Sequence, residues 1–241
     1  QIEEMVLEID FMEILRDELT RKTATFFEKE FEEKSSITLP VNNWSIGLPK
    51  AISKGQNVLN LLFELFDKTE HITDFSALPI PFFCIATDVE NGNEIIIENG
   101  SLPLALRASG SFPTLLNPVN FEDELLIDGG VANNFPVDIM KSKGMDIIIG
   151  VDVEGRLVDK EKLNSVVAIL NQIVIYQMYH KTQKQKEKVD VYIHPDIFEF
   201  NVVDFDRKEE ILEKGRIEAE KYSDIFKEIA KKQVIKKERK N

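Results

Sequence analysis

Cysteine is almost absent from this sequence. Cys84 stands alone, so the chain can close no internal disulfide and has no cysteine cluster for a metal. Basic residues are outnumbered by acidic ones, 30 against 43, and the formal charge of −13 sets most of the surface against a polyanion. No nucleic acid is therefore expected as a partner. The same imbalance argues against a purely electrostatic grip on anionic lipid, and leaves contact with a membrane surface to a local apolar rim. Long apolar runs are missing as well, since no stretch approaches the roughly 20 residues that a spanning helix requires. Histidines number three, His71, His180 and His194, with no paired spacing of metal ligands. No phosphate-cradling G-x-G-x-x-G occurs. No metal and no cofactor are expected.

What is present suffices for a packed domain: 241 residues, 43% of them hydrophobic. From residue 1 to 20, Ile2, Met5, Val6, Ile9, Met12 and Leu19 recur at steps of three and four, which predicts an amphipathic helix already under way at Gln1. No capping residue precedes it, and a segment upstream is expected on that ground. Residues 23–31 and 35–41 predict a β-hairpin, rich in Phe, Thr, Ile and Val. Pro49 suits a first helical turn, and Val58, Leu61, Leu62, Leu65 and Phe66 carry an apolar stripe to about residue 67.

A strand over 81–88 is predicted by its nearly continuous apolar run, with Cys84 buried inside it; Asn91-Gly92 then turns the chain into a second strand over 94–98. A short helix over 102–108 follows. Further strands are predicted over 125–128, 147–153 and 189–194, helices over 137–143 and 161–184, and a last helix from 207 to about 232. Strands alternating with helices point to an α/β sheet with parallel members. The basic stretch 231–241 reads as a solvated tail or linker.

Chemistry concentrates at Leu126-Ile127-Asp128-Gly129-Gly130-Val131. An apolar strand delivers Asp128 to its carboxyl end, where open α/β sheets place working groups. Two glycines follow at once, and without a Cβ they admit another backbone, a side chain or a substrate close to the carboxylate. Asn133 and Asn134 read as helix-start residues before Pro136. Two readings stand on the residues alone: a working carboxylate, or an ordinary strand-to-helix turn whose aspartate serves local hydrogen bonds. Asp88 and Asp152, isolated at strand ends, read as turn caps.

Four segments in order carry a wider resemblance. They are Leu78-Pro79-Ile80-Pro81-Phe82 with Ala86-Thr87-Asp88; Leu106-Arg107-Ala108-Ser109-Gly110-Ser111-Phe112-Pro113; Ile127-Asp128-Gly129-Gly130-Val131 with Asn133-Asn134-Phe135-Pro136-Val137; and Gly150-Val151-Asp152-Val153. A fifth, Ile46-Gly47-Leu48-Pro49 leading to Gly55-Gln56-Asn57, belongs with them. Together they resemble the bacterial patatin-like phospholipases over residues 46–155, and more loosely to about 230.

The resemblance implies an α/β three-layer sandwich with a mostly parallel central sheet flanked by helices. It implies a hydrolase that cleaves acyl esters of lipids with a serine–aspartate dyad, the serine in a G-x-S-x-G turn and the aspartate in D-G-G or D-G-A. Asp128, Gly129 and Gly130 match the second motif. G-x-S-x-G occurs nowhere in these residues, and neither does the glycine-rich oxyanion loop. The expectation is that the first strand and the nucleophile elbow lie outside the sequence, and that this chain alone is inactive. Ser109 and Ser111 then read as packing and turn residues, Arg107 as a structural hydrogen-bond donor, and Gly129 and Gly130 as neighbours of the site with substrate contacts undefined. Residues 1–230 are expected to form one acyl hydrolase domain. The expected partner is a phospholipid or other acyl ester, with contact to a membrane surface and, in the parent protein, a C-terminal outer-membrane module. The rival expectation is a non-catalytic patatin-like scaffold that binds lipid or a protein. Cytoplasmic and periplasmic or outer-membrane locations both stay open.

Overall fold

The computed structural model describes residues 2–15, 41–42, 45–46 and 51–232. In chain order the elements begin with helices α1 (Ile2–Glu8) and α2 (Phe11–Leu15), followed by strands β1 (Val41–Asn42), β2 (Ser45–Ile46) and β3 (Ala51–Ser53). Helix α3 (Gln56–Leu65), strands β4 (Cys84–Asp88) and β5 (Glu94–Ile97) and helix α4 (Leu102–Ser109) come next. Strands β6 (Thr114–Leu116), β7 (Val119–Phe121) and β8 (Glu124–Asp128) lead to the short helices α5 (Gly130–Asn133) and α6 (Val137–Ser142). Strand β9 (Ile149–Val151), helix α7 (Val166–Gln185), strand β10 (Val191–Ile193) and helices α8 (Lys208–Glu220) and α9 (Ser223–Lys232) follow among the described residues. The contacts divide it into two compact units.

The larger unit takes residues 10–136 and 157–185. Its main sheet has the order β5-β4-β8-β7, antiparallel at every step. Strand β4 is buried along its whole length between β5 and β8, as its unbroken apolar run predicts. Gly92, at φ 73°, takes the left-handed turn position that joins β4 to β5. Helix α4 starts with Pro103 in its first turn, where a missing N–H costs nothing, and ends at Gly110. It presses Leu102, Ala105 and Ala108 onto a core of Phe75, Cys84, Ala86, Ile97, Phe121 and Leu126. Cys84 donates its thiol to the Ala105 carbonyl at 3.6 Å, and burial pushes that thiol up to about 11. A second core gathers Phe112, Leu115 and Leu116 with Leu15, Val58, Val174 and Met178.

The smaller unit takes residues 1–9, 137–156 and 186–241. Parallel strands β9 and β10 form its sheet, with Ile148, Val191 and Ile193 buried. The Lys208 ammonium donates to the Leu7 and Ile9 carbonyls at 2.6 and 2.7 Å. It closes the carboxyl end of α1, where a cation is favoured.

The α/β class, parallel pairing and flanking helices are as expected. Among the described residues the parallel pairs are β3 with β6 and β9 with β10, while the largest sheet is antiparallel. The tight turns that follow β4 and β7 can join only antiparallel neighbours, which fixes two of the three pairs in that sheet. Several boundaries also moved. The opening helix is interrupted at Ile9-Asp10, and the last one at Lys221-Tyr222. The stripe expected from Pro49 begins only at Gln56, because Ala51–Ser53 is drawn into a strand by β6. The hairpin expected over 23–31 and 35–41 lies outside the described residues apart from Val41, and so does the tail beyond residue 232.

Candidate active site

Asp128 ends β8, and its two glycines start α5, so the carboxylate sits where a strand stops and a helix begins. Four contacts fix that turn. The Asp128 N–H donates to the Ser111 carbonyl at 3.0 Å and the Gly129 N–H to the Ser109 carbonyl at 3.2 Å, so the loop after α4 braces it from one side. Thr87 on β4 braces it from the other. Its hydroxyl donates to the Asp128 carbonyl at 2.8 Å and accepts from the Ala132 N–H at 3.1 Å.

Gly129 allows β4 and the turn to close on each other. A Cβ there would lie 1.9 Å from the Ile85 carbonyl oxygen, a backbone atom that cannot step aside. At Gly130 a Cβ would meet Met178 Cε, Asn134 Oδ1 and Asp128 Oδ1 at 2.5, 2.6 and 2.9 Å, all side-chain ends. Both glycines are therefore needed for space, the first absolutely.

The carboxylate itself is unequally held. Oδ1 accepts from the Gly130 N–H at 2.7 Å, while among the described residues Oδ2 accepts no hydrogen bond and no cation pairs with the group. Burial raises the Asp128 carboxyl to about 6, against the Gly130 N–H, which acts to lower it. A carboxylate with one anchored oxygen, one open oxygen and an affinity for protons close to neutrality is equipped to accept a proton.

Arg107 is another charge near this turn. Fully buried on α4, it donates to the Gly55, Lys54 and Asn117 carbonyls at 3.2, 2.9 and 3.1 Å and to Ser111 Oγ at 2.5 Å. Ser111 Oγ donates in turn to the Arg107 carbonyl at 2.6 Å. Gly55 is required twice here: its φ of 76° is left-handed, and a Cβ would lie 2.0 Å from the guanidinium. Arg107 is thus a structural donor as expected, and it locks the Ser111 hydroxyl into the scaffold. The Ser109 hydroxyl contacts the Cys84 thiol.

Other sequence-level candidates fall away from the chemistry. Asp88 caps its turn, accepting from the Glu90 N–H at 3.0 Å and from the Asn91 amide. Asp152, in the smaller unit, accepts from the Glu154 N–H at 2.9 Å and from the Tyr192 hydroxyl at 2.5 Å, with His194 Nδ1 3.6 Å away. It is more deeply engaged than a turn cap. Asn133 and Asn134 do not start a helix: Asn133 closes α5 and Asn134 follows it, because the glycines set the helix going first. His71 and His180 are exposed, and no metal-holding group of side chains occurs among the described residues.

Thr87, Met178 and Lys181 were not foreseen. The Lys181 ammonium donates to the Ala132 carbonyl at 2.5 Å and lies 3.6 Å from Glu94, tying α7 to the helix after the glycines. Only for Thr87 did the sequence hold a hint, a hydroxyl inside an otherwise apolar strand.

The profile of the family described as patatin-like phospholipase matches residues 11–141. The chain belongs to the patatin-like phospholipase family. An uncharacterized NTE family protein of Mycobacterium tuberculosis is 27% identical over 206 residues, 75% of this chain and 34% of that protein. Lysophospholipase NTE1 of the yeast Meyerozyma guilliermondii is 34% identical over 130 residues, 54% of this chain and 8% of the yeast protein. Lysophospholipase NTE1 of Scheffersomyces stipitis is 33% identical over 145 residues, 60% and 8% of the respective chains. This patatin-like chain therefore spans about a third of the mycobacterial relative and a small part of the yeast ones.

Proposed function

We propose that this protein is a lipid acyl-ester hydrolase of the phospholipase A or lysophospholipase type, in which Asp128 is the general base toward a serine. The observation that carries the reading is the half-held carboxylate at about 6, with Oδ2 open. Membership of the patatin-like family supports the reaction class, and the printed names of the yeast relatives support a lysophospholipid or phospholipid as substrate.

In this reaction Asp128 takes the hydroxyl proton as the serine oxygen attacks the ester carbonyl carbon. It returns that proton to the departing alcohol, leaving an acyl-serine. Water then attacks the acyl carbon and gives its proton to Asp128, which passes it to the serine oxygen as the acyl–serine bond breaks and the fatty acid leaves. The Gly130 N–H holds Oδ1 so that Oδ2 faces the hydroxyl. Since G-x-S-x-G does not occur in these 241 residues, the serine is proposed to lie elsewhere in the parent protein, and the chain by itself to be inactive. Residues 1–230 are taken as the hydrolase domain and 231–241 as a tail or linker. The missing motif also favours a second reading, a non-catalytic scaffold.

Hydrolysis of a short-chain ester separates the two. The parent open reading frame is expected to be active, its Asp128→Asn form to lose that activity, and the 241-residue chain to show none. Turnover by the 241-residue chain refutes the proposed division of the dyad, and an inactive parent protein establishes the scaffold.

A further inference from the structure

Helix α7 (Val166–Gln185) is apolar on more than one side. Its inward side packs Val174 and Met178 on the second core beside polar groups: Asn171 Oδ1 meets the Thr114 hydroxyl at 2.9 Å, Gln172 bonds the Val158 backbone twice at 3.2 Å, and Thr182 and Gln185 are buried. Its outward side shows Val166, Ile169, Leu170, Ile173 and Tyr176, each between 47% and 74% exposed. These positions recur at steps of three and four, so they form one stripe. Between Lys162 and Lys181 the sequence has no charged side chain at all, in a chain where 30% of residues are charged.

We infer that this outward stripe of α7 lies in the surface of a lipid bilayer containing anionic headgroups, and so seats the Asp128 turn at the membrane. The inference rests on the lipid hydrolase reading above and names how that site reaches its substrate.

Three observations choose a bilayer over a protein partner. The exposed row changes character along the helix, from Val166, Ile169, Leu170 and Ile173 to Tyr176, then Gln177, His180 and Lys184. That is the order met on passing from acyl chains through the aromatic interface to the headgroups. Second, the stripe is five side chains on one helix, fewer than the roughly 20 residues a side that a stable protein interface engages. Third, the row ends on the exposed Lys184, a cation in a chain of charge −13, complementary to anionic lipid. The opposite side of the helix reaches the site: Met178 and Lys181 hold the turn at Gly130 and Ala132.

The test is sedimentation of the 241-residue chain with vesicles of phosphatidylcholine containing phosphatidylglycerol, and with phosphatidylcholine alone. The mixed vesicles are expected to retain the chain more strongly. Ile169→Glu with Ile173→Glu should weaken that binding about tenfold or more, whereas Val203→Glu, an exposed apolar position in the smaller unit, should leave it unchanged. Because two charges on one helix could disturb folding, a second measurement uses a polarity-sensitive dye on Ile173→Cys, with Cys84 buried and unreactive. Its emission should shift to the blue on mixed vesicles, and that of dye on Val203→Cys should not. Undiminished binding by the double variant, absence of vesicle binding, or a blue shift that follows protein concentration without lipid overturns the inference. Vesicle binding through α7 beside an inactive parent enzyme would sink the hydrolase reading alone; ester turnover without α7-dependent binding would sink this one alone.

Discussion

Arg107 and Asp128 are opposite charges withdrawn from water into the same unit, and the protein treats them differently. The guanidinium spends its donors on three carbonyls and a hydroxyl, and Gly55 gives up its side chain to make room. The carboxylate receives one N–H, from Gly130, and keeps an oxygen open. A buried ion solvated on every side becomes part of the scaffold. One solvated on a single side keeps reactivity in reserve, and its raised proton affinity records the shortfall.

The contrast can be broken from either end. Arg107→Met strips four acceptors of their donor and is expected to destabilise the chain by about 3–5 kcal/mol, read as a lowered midpoint in urea unfolding. Gly129→Ala drives a Cβ into the Ile85 carbonyl and should cost about 2–4 kcal/mol, while Gly130→Ala, which meets only side-chain ends, should cost about 1 kcal/mol. Equal losses at the two glycines would mean that β4 is free to move away.

An effect of opposite sign sharpens the comparison through pH. Because the folded Asp128 carboxyl stands at about 6 against an ordinary 3.8, the folded state holds its proton the more tightly. The stability this contributes is complete below about pH 4 and disappears as pH rises through about 6. Asp128→Asn should therefore stabilise the chain by about 1–3 kcal/mol at pH 7.5, with the gain vanishing toward pH 4. Such a substitution at Arg107, already fully engaged, has no stabilising counterpart.

The sequence was informative wherever a few neighbouring residues decide the outcome. The apolar run of β4, the Asn91-Gly92 turn, the start of α4 at Pro103 and the Asp128-Gly129-Gly130 step could all be read directly. It was silent where distant residues decide. Strands β3, β6 and β7 are three residues each, too short for periodicity, and exist through their partners. Thr87 reaches Asp128 across 41 positions, and Lys181 reaches Ala132 across 49. Helix α7 is apolar inward, at Val174 and Met178, as well as outward, so it gives almost no net amphipathic signal and the sequence pattern did not single out its exposed stripe. At Asp128 the position was legible in advance; the unequal hold on its two oxygens was not.

The central claim is that this carboxylate moves the proton. Turnover of a short-chain ester by the parent protein, with and without Asp128→Asn, measures it most directly. The account predicts a fall in kcat of about 10²–10⁴-fold with KM little changed, since Asn keeps the contact to the Gly130 N–H and loses only the basic oxygen. An Asn variant that retains kcat within a few-fold of the unaltered protein would contradict it.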